Sequence, residues 1–133
     1  ARLSMDNESS QQFDVLVLDA FSGDTCPTHL LTREAGDIYR KHLRDDGLIC
    51  VHISNLHFDL RSVVTGLAEH MGMQAIGVEG QADAQDGTRL CHWVVLSKQS
   101  LSKEIVSGIQ HRLSPAEPTL WTDGWTDLIS ALR

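Results

Sequence analysis

The 133 residues, 41% of them hydrophobic, are enough for one domain with its own core and too few for two. Eighteen acidic against eleven basic side chains give a formal charge of -7; this repels a phosphate backbone and argues against nucleic acid, while a polyamine or other cationic small molecule suits it. No apolar run approaches the roughly 18 residues of a membrane span and no basic start leads into a hydrophobic stretch, so a cytoplasmic chain is expected. The three cysteines, Cys26, Cys50 and Cys91, show no close pairing and read as reduced, buried thiols.

In chain order, Phe13 to Asp19 is an apolar run rich in β-branched residues that ends on a carboxylate, the pattern of a strand buried on both faces of a parallel sheet. From Thr32 to about Asp46, Ala35, Ile38, Tyr39 and Leu43 recur at helical spacing. Thr32 suits the N-cap, Glu34 the positive end of the dipole, and Gly47 the left-handed position after the last turn. Leu48 to Ser54 is a second apolar run, so strand, helix and strand form a right-handed crossover with parallel strands.

Asp59 is placed to cap a helix presenting Leu60, Val63, Val64, Leu67 and Met71, closed by Gly72. Met73 to Val78 and Leu90 to Leu96 read as an antiparallel pair joined by the polar segment 79–89. A helix is expected from Ser100 or Ser102 to Leu113, ended by Pro115 and Pro118, and an amphipathic tail from Trp121 to Arg133. The fold class is α/β: a partial Rossmann-like sheet of parallel strands plus a carboxyl-terminal antiparallel pair, with helices on its faces.

Ligands of open α/β sheets bind at the carboxyl ends of the strands. The first strand runs there into Asp19-Ala-Phe-Ser-Gly-Asp24 and on to His29, and the second into Ser54-Asn55. Two carboxylates, a hydroxyl, glycine and histidine on one edge can hold an amine and take its proton. The same residues also satisfy a plain turn, with Asp19 accepting loop amide hydrogens. His52, inside an apolar strand, reads as a core histidine; Trp93 and Trp125 read as core aromatics; the histidines show no metal-ligand clustering.

Phe13-Asp-Val-Leu-Val-Leu-Asp-Ala-Phe-Ser-Gly-Asp24, followed by Pro27 and His29-Leu-Leu-Thr-Arg-Glu-Ala35, resembles the catalytic segment of bacterial spermidine-synthase-like proteins, some of them fused to transporter-like membrane segments. Asp46-Gly47, Val51-His52-Ile53-Ser54-Asn55, Asp59-Leu60 and Trp121-Thr122-Asp123 continue the likeness. The resemblance implies a class I methyltransferase-type domain in which decarboxylated S-adenosylmethionine, as co-substrate, donates an aminopropyl group to putrescine or a related amine. It implies Asp19 as the catalytic base and Asp24, Ser54 and Asn55 as substrate-binding residues; His29 joins the substrate-binding candidates by its place in the edge loop, where a surface or packing histidine is the alternative.

The family holds the nucleoside on a glycine-rich strand-to-helix turn, and no such turn occurs in residues 1–133. The expectation is therefore the carboxyl-terminal part of a synthase-like domain, without its nucleotide-binding half, inactive in isolation and binding no cofactor by itself. An open sheet edge would favour a homo-oligomer. The competing readings are a non-catalytic module acting in oligomer assembly and a methyltransferase-like enzyme using S-adenosylmethionine.

Overall fold

The computed structural model describes residues 2–19, 27–82, 85, 87–101 and 113–133. Its regular elements are α1 (Arg2–Asn7), β1 (Phe13–Leu18), α2 (Arg33–His42), β2 (Leu43–His52), α3 (Arg61–His70), β3 (Gln74–Gly80) and β4 (Cys91–Ser97), with a short 3-10 turn at Thr28–Leu30. The four strands form one sheet in the order β1-β2-β4-β3. As the crossover argument requires, β1 and β2 are parallel, with Leu16 beside Ile49 and Leu18 beside Val51. β4 is antiparallel to both β2 and β3.

The period of two along β2 defines the two faces of the sheet. Ile49, Val51 and Ile53 are buried and meet Leu60, Val63, Val64, Leu67 and Leu96 in a single core under α2 and α3. Each such side chain contributes about 1.5–3 kcal/mol on leaving water. Leu48, Cys50 and His52 point to the opposite face and are only partly covered. The free thiols of Cys50 and Cys91 are accordingly half-buried, and desolvation pushes the Cys50 thiol above its ordinary pKa; Cys26 lies outside the described residues. β1 is likewise not buried on both faces: Val15 and Val17 are 51% and 55% exposed. β1 has a pairing neighbour on one side only among the described residues.

α2 begins where Thr32 allows, its hydroxyl accepting the Ala35 amide at 3.4 Å. It ends at His42, four residues before the expected Asp46, because Leu43 already has extended dihedrals and pairs with Phe13. Residues 44–47 fall in the register shift between that pair and Val15–Leu48. Gly47 is thus a strand residue and not a left-handed helix cap: an added Cβ would lie 2.9 Å from the Phe13 carbonyl oxygen. α3 starts one residue later than expected, with Leu60 at the cap position, while Asp59 accepts the Arg61 amide at 3.1 Å. Gly72, at φ 68°, closes α3 as its sequence position indicated.

The expected helix from Ser100 or Ser102 to Leu113 falls outside the described residues, apart from its ends. Downstream, the tail from Trp121 is an irregular strap with no helix among the described residues. Its backbone is tied to the helices and their approaches: Arg33 N to Trp121 O at 2.8 Å, Thr119 N to Ser62 O at 2.9 Å, and Asp59 N to Ala131 O at 2.7 Å. Trp121 and Ala131 are buried by this route, whereas Trp125, expected in the core, is 54% exposed because it belongs to a tight turn bonded to Thr122.

Gly66 is the close-approach point between α3 and the strap, since an added Cβ would collide with the Thr119 carbonyl. Alanine is the better helix former by about 1 kcal/mol, yet the obstacle is backbone and cannot swing aside. Gly66→Ala is expected to destabilise the fold by about 1–3 kcal/mol, read as a lower urea midpoint at unchanged slope.

A clasp joins the start of the described chain to the strap. Arg2 donates to both Asp123 oxygens at 2.7 and 2.5 Å, and the Thr32 hydroxyl donates to Asp123 at 2.8 Å. These bonds, that from Arg2 first, hold the Asp123 carboxyl down at about 2. A carboxyl whose folded pKa lies below its unfolded value near 3.9 contributes stability above that value and loses it as pH falls toward the folded one. Asp123→Asn should therefore flatten part of the stability loss between about pH 4 and pH 2 in pH-resolved urea melts. The part is modest because the carboxylate is nearly half exposed. Asp37 and Asp59, held below their ordinary values chiefly by His70 and Arg61, act in the same direction and remain.

Candidate active site

The carboxyl edge of the parallel strands gathers polar groups from all four strands. Asp19 follows β1 directly, His52 ends β2 with Ser54 and Asn55 after it, His92 lies in β4, and Glu79 lies near the end of β3. Asp19 Oδ1 faces His52 Nδ1 at 2.8 Å, and His52 Nε2 faces Ser54 Oγ at 2.7 Å. Ser54 Oγ in turn accepts the His92 backbone N–H at 2.7 Å. The His52 ring stacks on Trp93, its cross-strand neighbour, with ring centres 4.7 Å apart and an interplanar angle of 23°. The Asp19 side chain is 56% exposed and that of His52 22% exposed, so the carboxylate can be reached from solvent while its partner is held.

On the other side of β4, the His92 imidazole lies 3.4 Å from a Glu79 oxygen. A cavity of about 370 Å³ there is lined by the polar Asp59, Arg61, Glu79, His92 and Arg133 together with Ile53 and Leu113. An adjoining one of about 240 Å³ is lined by Ser54, Asn55, Leu56, Leu90, His92 and Arg133. Arg133 reaches both because the strap ends on this edge, its amide bonded to the His57 carbonyl at 3.0 Å. A further cavity of about 350 Å³, between α3 and β3, has Arg61, Thr65 and Ser114 as its polar lining and no carboxylate among the described residues. The chemistry therefore concentrates at the carboxyl edge.

The structure thus brings Asp19 and Ser54 together through His52, a residue that the sequence placed in the core. His52 is instead a half-buried bridge between strand ends. The two-residue alternation of β2 was the signal, since it assigns His52 to the face opposite Val51 and Ile53. Asn55 is buried, and its carbonyl oxygen accepts the His57 and Phe58 amides at 2.8 and 3.0 Å, so it shapes the loop that carries Ser54. His29 is exposed in the 3-10 turn; its carbonyl accepts from Arg2 and its side chain acts electrostatically on Asp123. Asp24 lies outside the described residues. Among the described residues no three His, Cys, Asp or Glu side chains converge to hold a metal ion, and no helix is long and apolar enough to cross a membrane.

A sheet with parallel β1 and β2 followed by an antiparallel β4, helices packed on its face, and an acid at the carboxyl end of β1 is an arrangement of the methyltransferase-like α/β class. The structure is similar to that of a probable spermidine synthase from Corynebacterium glutamicum, with a TM-score of 0.58 and 20% identity over 80% of this chain and 40% of that one. It is also similar to a spermidine synthase solved in complex with the transition state analogue AdoDATO, with a TM-score of 0.52 and 15% identity over 87% of this chain and 42% of that one. The chain therefore has the fold of spermidine synthases and spans about two-fifths of their length. No family model matches the sequence, and no curated protein matches it.

Proposed function

We propose that the chain is the carboxyl-terminal part of an aminopropyltransferase of the spermidine-synthase type, with Asp19 as the base. The observation that carries this reading is the exposed Asp19 carboxylate at the end of β1, held by His52, in a fold shared with spermidine synthases. In the reaction, the nitrogen of putrescine or a related amine attacks the aminopropyl carbon bound to the sulfonium of decarboxylated S-adenosylmethionine. The new C–N bond forms as the C–S bond breaks, the electron pair passing to sulfur to leave a neutral thioether. The proton released by the nitrogen goes to Asp19.

Asp24 is assigned to holding the cationic substrate, Ser54 to its contact with His52 and the adjoining cavity, and Asn55 to the shape of that loop, while His29 stays a substrate-binding candidate from its sequence position alone. The nucleoside falls to residues outside this chain, because no glycine-rich turn lies within it. The test is aminopropyl transfer by the natural polypeptide that carries this chain, supplied with decarboxylated S-adenosylmethionine and a panel of amines; transfer to none of them would refute the reading.

The open edge of β1, with Val15 and Val17 exposed, favours a second reading in which the module works in assembly. On either reading the 133-residue chain is expected to associate with itself when alone, as a dimer or larger species by sedimentation. A monomer at high concentration would remove the support for assembly.

A further inference from the structure

We infer that His52 is a positioning residue for Asp19, held by Ser54 as the neutral tautomer with its proton on Nδ1. The inference deepens the proposed aminopropyl transfer and rests on it for the role, though not for the tautomer. The Ser54 hydroxyl owns a single proton. Its oxygen already accepts the His92 amide at 2.7 Å, and its other close neighbour is His52 Nε2 at 2.7 Å. Donating the hydroxyl proton to Nε2 satisfies both atoms and makes Nε2 an acceptor, so a neutral ring carries its hydrogen on Nδ1. That hydrogen points at Asp19 Oδ1, 2.8 Å away.

The opposite neutral tautomer would set the Nδ1 lone pair against the lone pairs of an ionised carboxylate at that distance. A doubly protonated ring would make Ser54 Oγ accept from both Nε2 and the His92 amide, leaving the hydroxyl proton without an acceptor among the described residues, and would also place a positive charge beside Asp19. The neutral Nδ1–H form fixes the carboxylate without that penalty. It occupies Oδ1 and leaves Oδ2, which has no hydrogen bond among the described residues, for the incoming amine. Trp93, stacked on the ring at 4.7 Å, limits the tilt that would break either bond. During transfer the His52 proton stays on Nδ1, and the amine's proton goes to Oδ2. Asp19 and His52 sit where the paired strands β1 and β2 end, and the Asn55 bonds that shape the following loop hold Ser54 beside them.

Two measurements test this. In the 133-residue chain labelled with ¹⁵N, the long-range imidazole spectrum at pH 8 should show a pyrrole-type Nδ1 and a pyridine-type Nε2 for His52, and Ser54→Ala should mix the tautomers. A pyridine-type Nδ1, or a doubly protonated ring, would overturn the inference. In the natural polypeptide, His52→Leu should lower kcat by about 10- to 100-fold with the amine KM nearly unchanged. His52→Asn, whose amide can donate from close to the Nδ1 position, should restore most of it. Equal kcat in His52→Leu and the unaltered protein would also overturn the role, as would equal loss in both variants. Failure of the unaltered protein to transfer to any amine is a different result: it removes the proposed reaction and with it the role, while the ring spectrum still decides the tautomer.

Discussion

Asp19→Asn is expected to reduce turnover by about a hundredfold or more when made in the natural polypeptide, the usual scale for losing a general base. Asparagine keeps the size of the side chain, and its carbonyl oxygen can still accept from His52, so the strand end should stay in place. What is lost is the atom that takes the proton. Affinity for decarboxylated S-adenosylmethionine should barely change, since the nucleoside is assigned to residues outside this chain. An Asp24 substitution should instead raise the amine concentration needed for half-maximal rate, because binding a cation precedes proton transfer. Steady-state kinetics with both substrates varied separate these effects. Full turnover by Asp19→Asn with every amine would reduce Asp19 to a structural acceptor. The 133-residue chain alone should transfer nothing, with or without the substitution.

The parts of the fold legible in the sequence are those in which local pattern and tertiary need agree. Ile49, Val51 and Ile53 announce a strand because burial selects β-branched residues there, and Val63, Val64 and Leu67 announce the helix that covers them. The end of α2 was not legible. Leu43-Arg44-Asp45-Asp46 tolerates a helix, and only the pairing of Leu43 with Phe13, a contact 30 positions away in sequence, draws it into β2. α1 has only six residues and is held by tertiary contacts, with Lys41 donating to the Asp6 carbonyl at 3.1 Å and His42 to that of Met5 at 2.7 Å.

Trp125, Leu128, Ile129 and Leu132 gave the tail an apolar character, yet all four are substantially exposed, and the strap buries Trp121 and Ala131 instead. Its course is set by backbone bonds to α2 and α3, which no period in the sequence reports. The candidate site was legible at the ends of the strands, where Asp19 and Ser54 are polar stops after apolar runs. It was not legible at His52, because an apolar run masks the alternation of its faces, nor at Arg133, which reaches the edge only through the strap.

Trp121→Ala is expected to cost about 3–5 kcal/mol, the largest loss from any single side chain of the strap. The indole is fully buried within the core cluster, and the Trp121 carbonyl accepts the amide of Arg33, the first residue of α2. Emptying the indole's space therefore opens a cavity where the strap meets α2, and the strap cannot fill it without giving up that bond and the neighbouring Arg2–Asp123 clasp. The indole N–H has no hydrogen-bond partner among the described residues. Trp121→Phe removes this buried donor, whose desolvation costs about 1–3 kcal/mol, while giving up part of the ring volume. The two terms oppose each other, so phenylalanine should lie much closer to the unaltered protein than to alanine in urea melts. A phenylalanine variant as unstable as the alanine one would show that the indole N–H is satisfied in solution, and that the Trp121 pocket is more polar than the packing around it indicates.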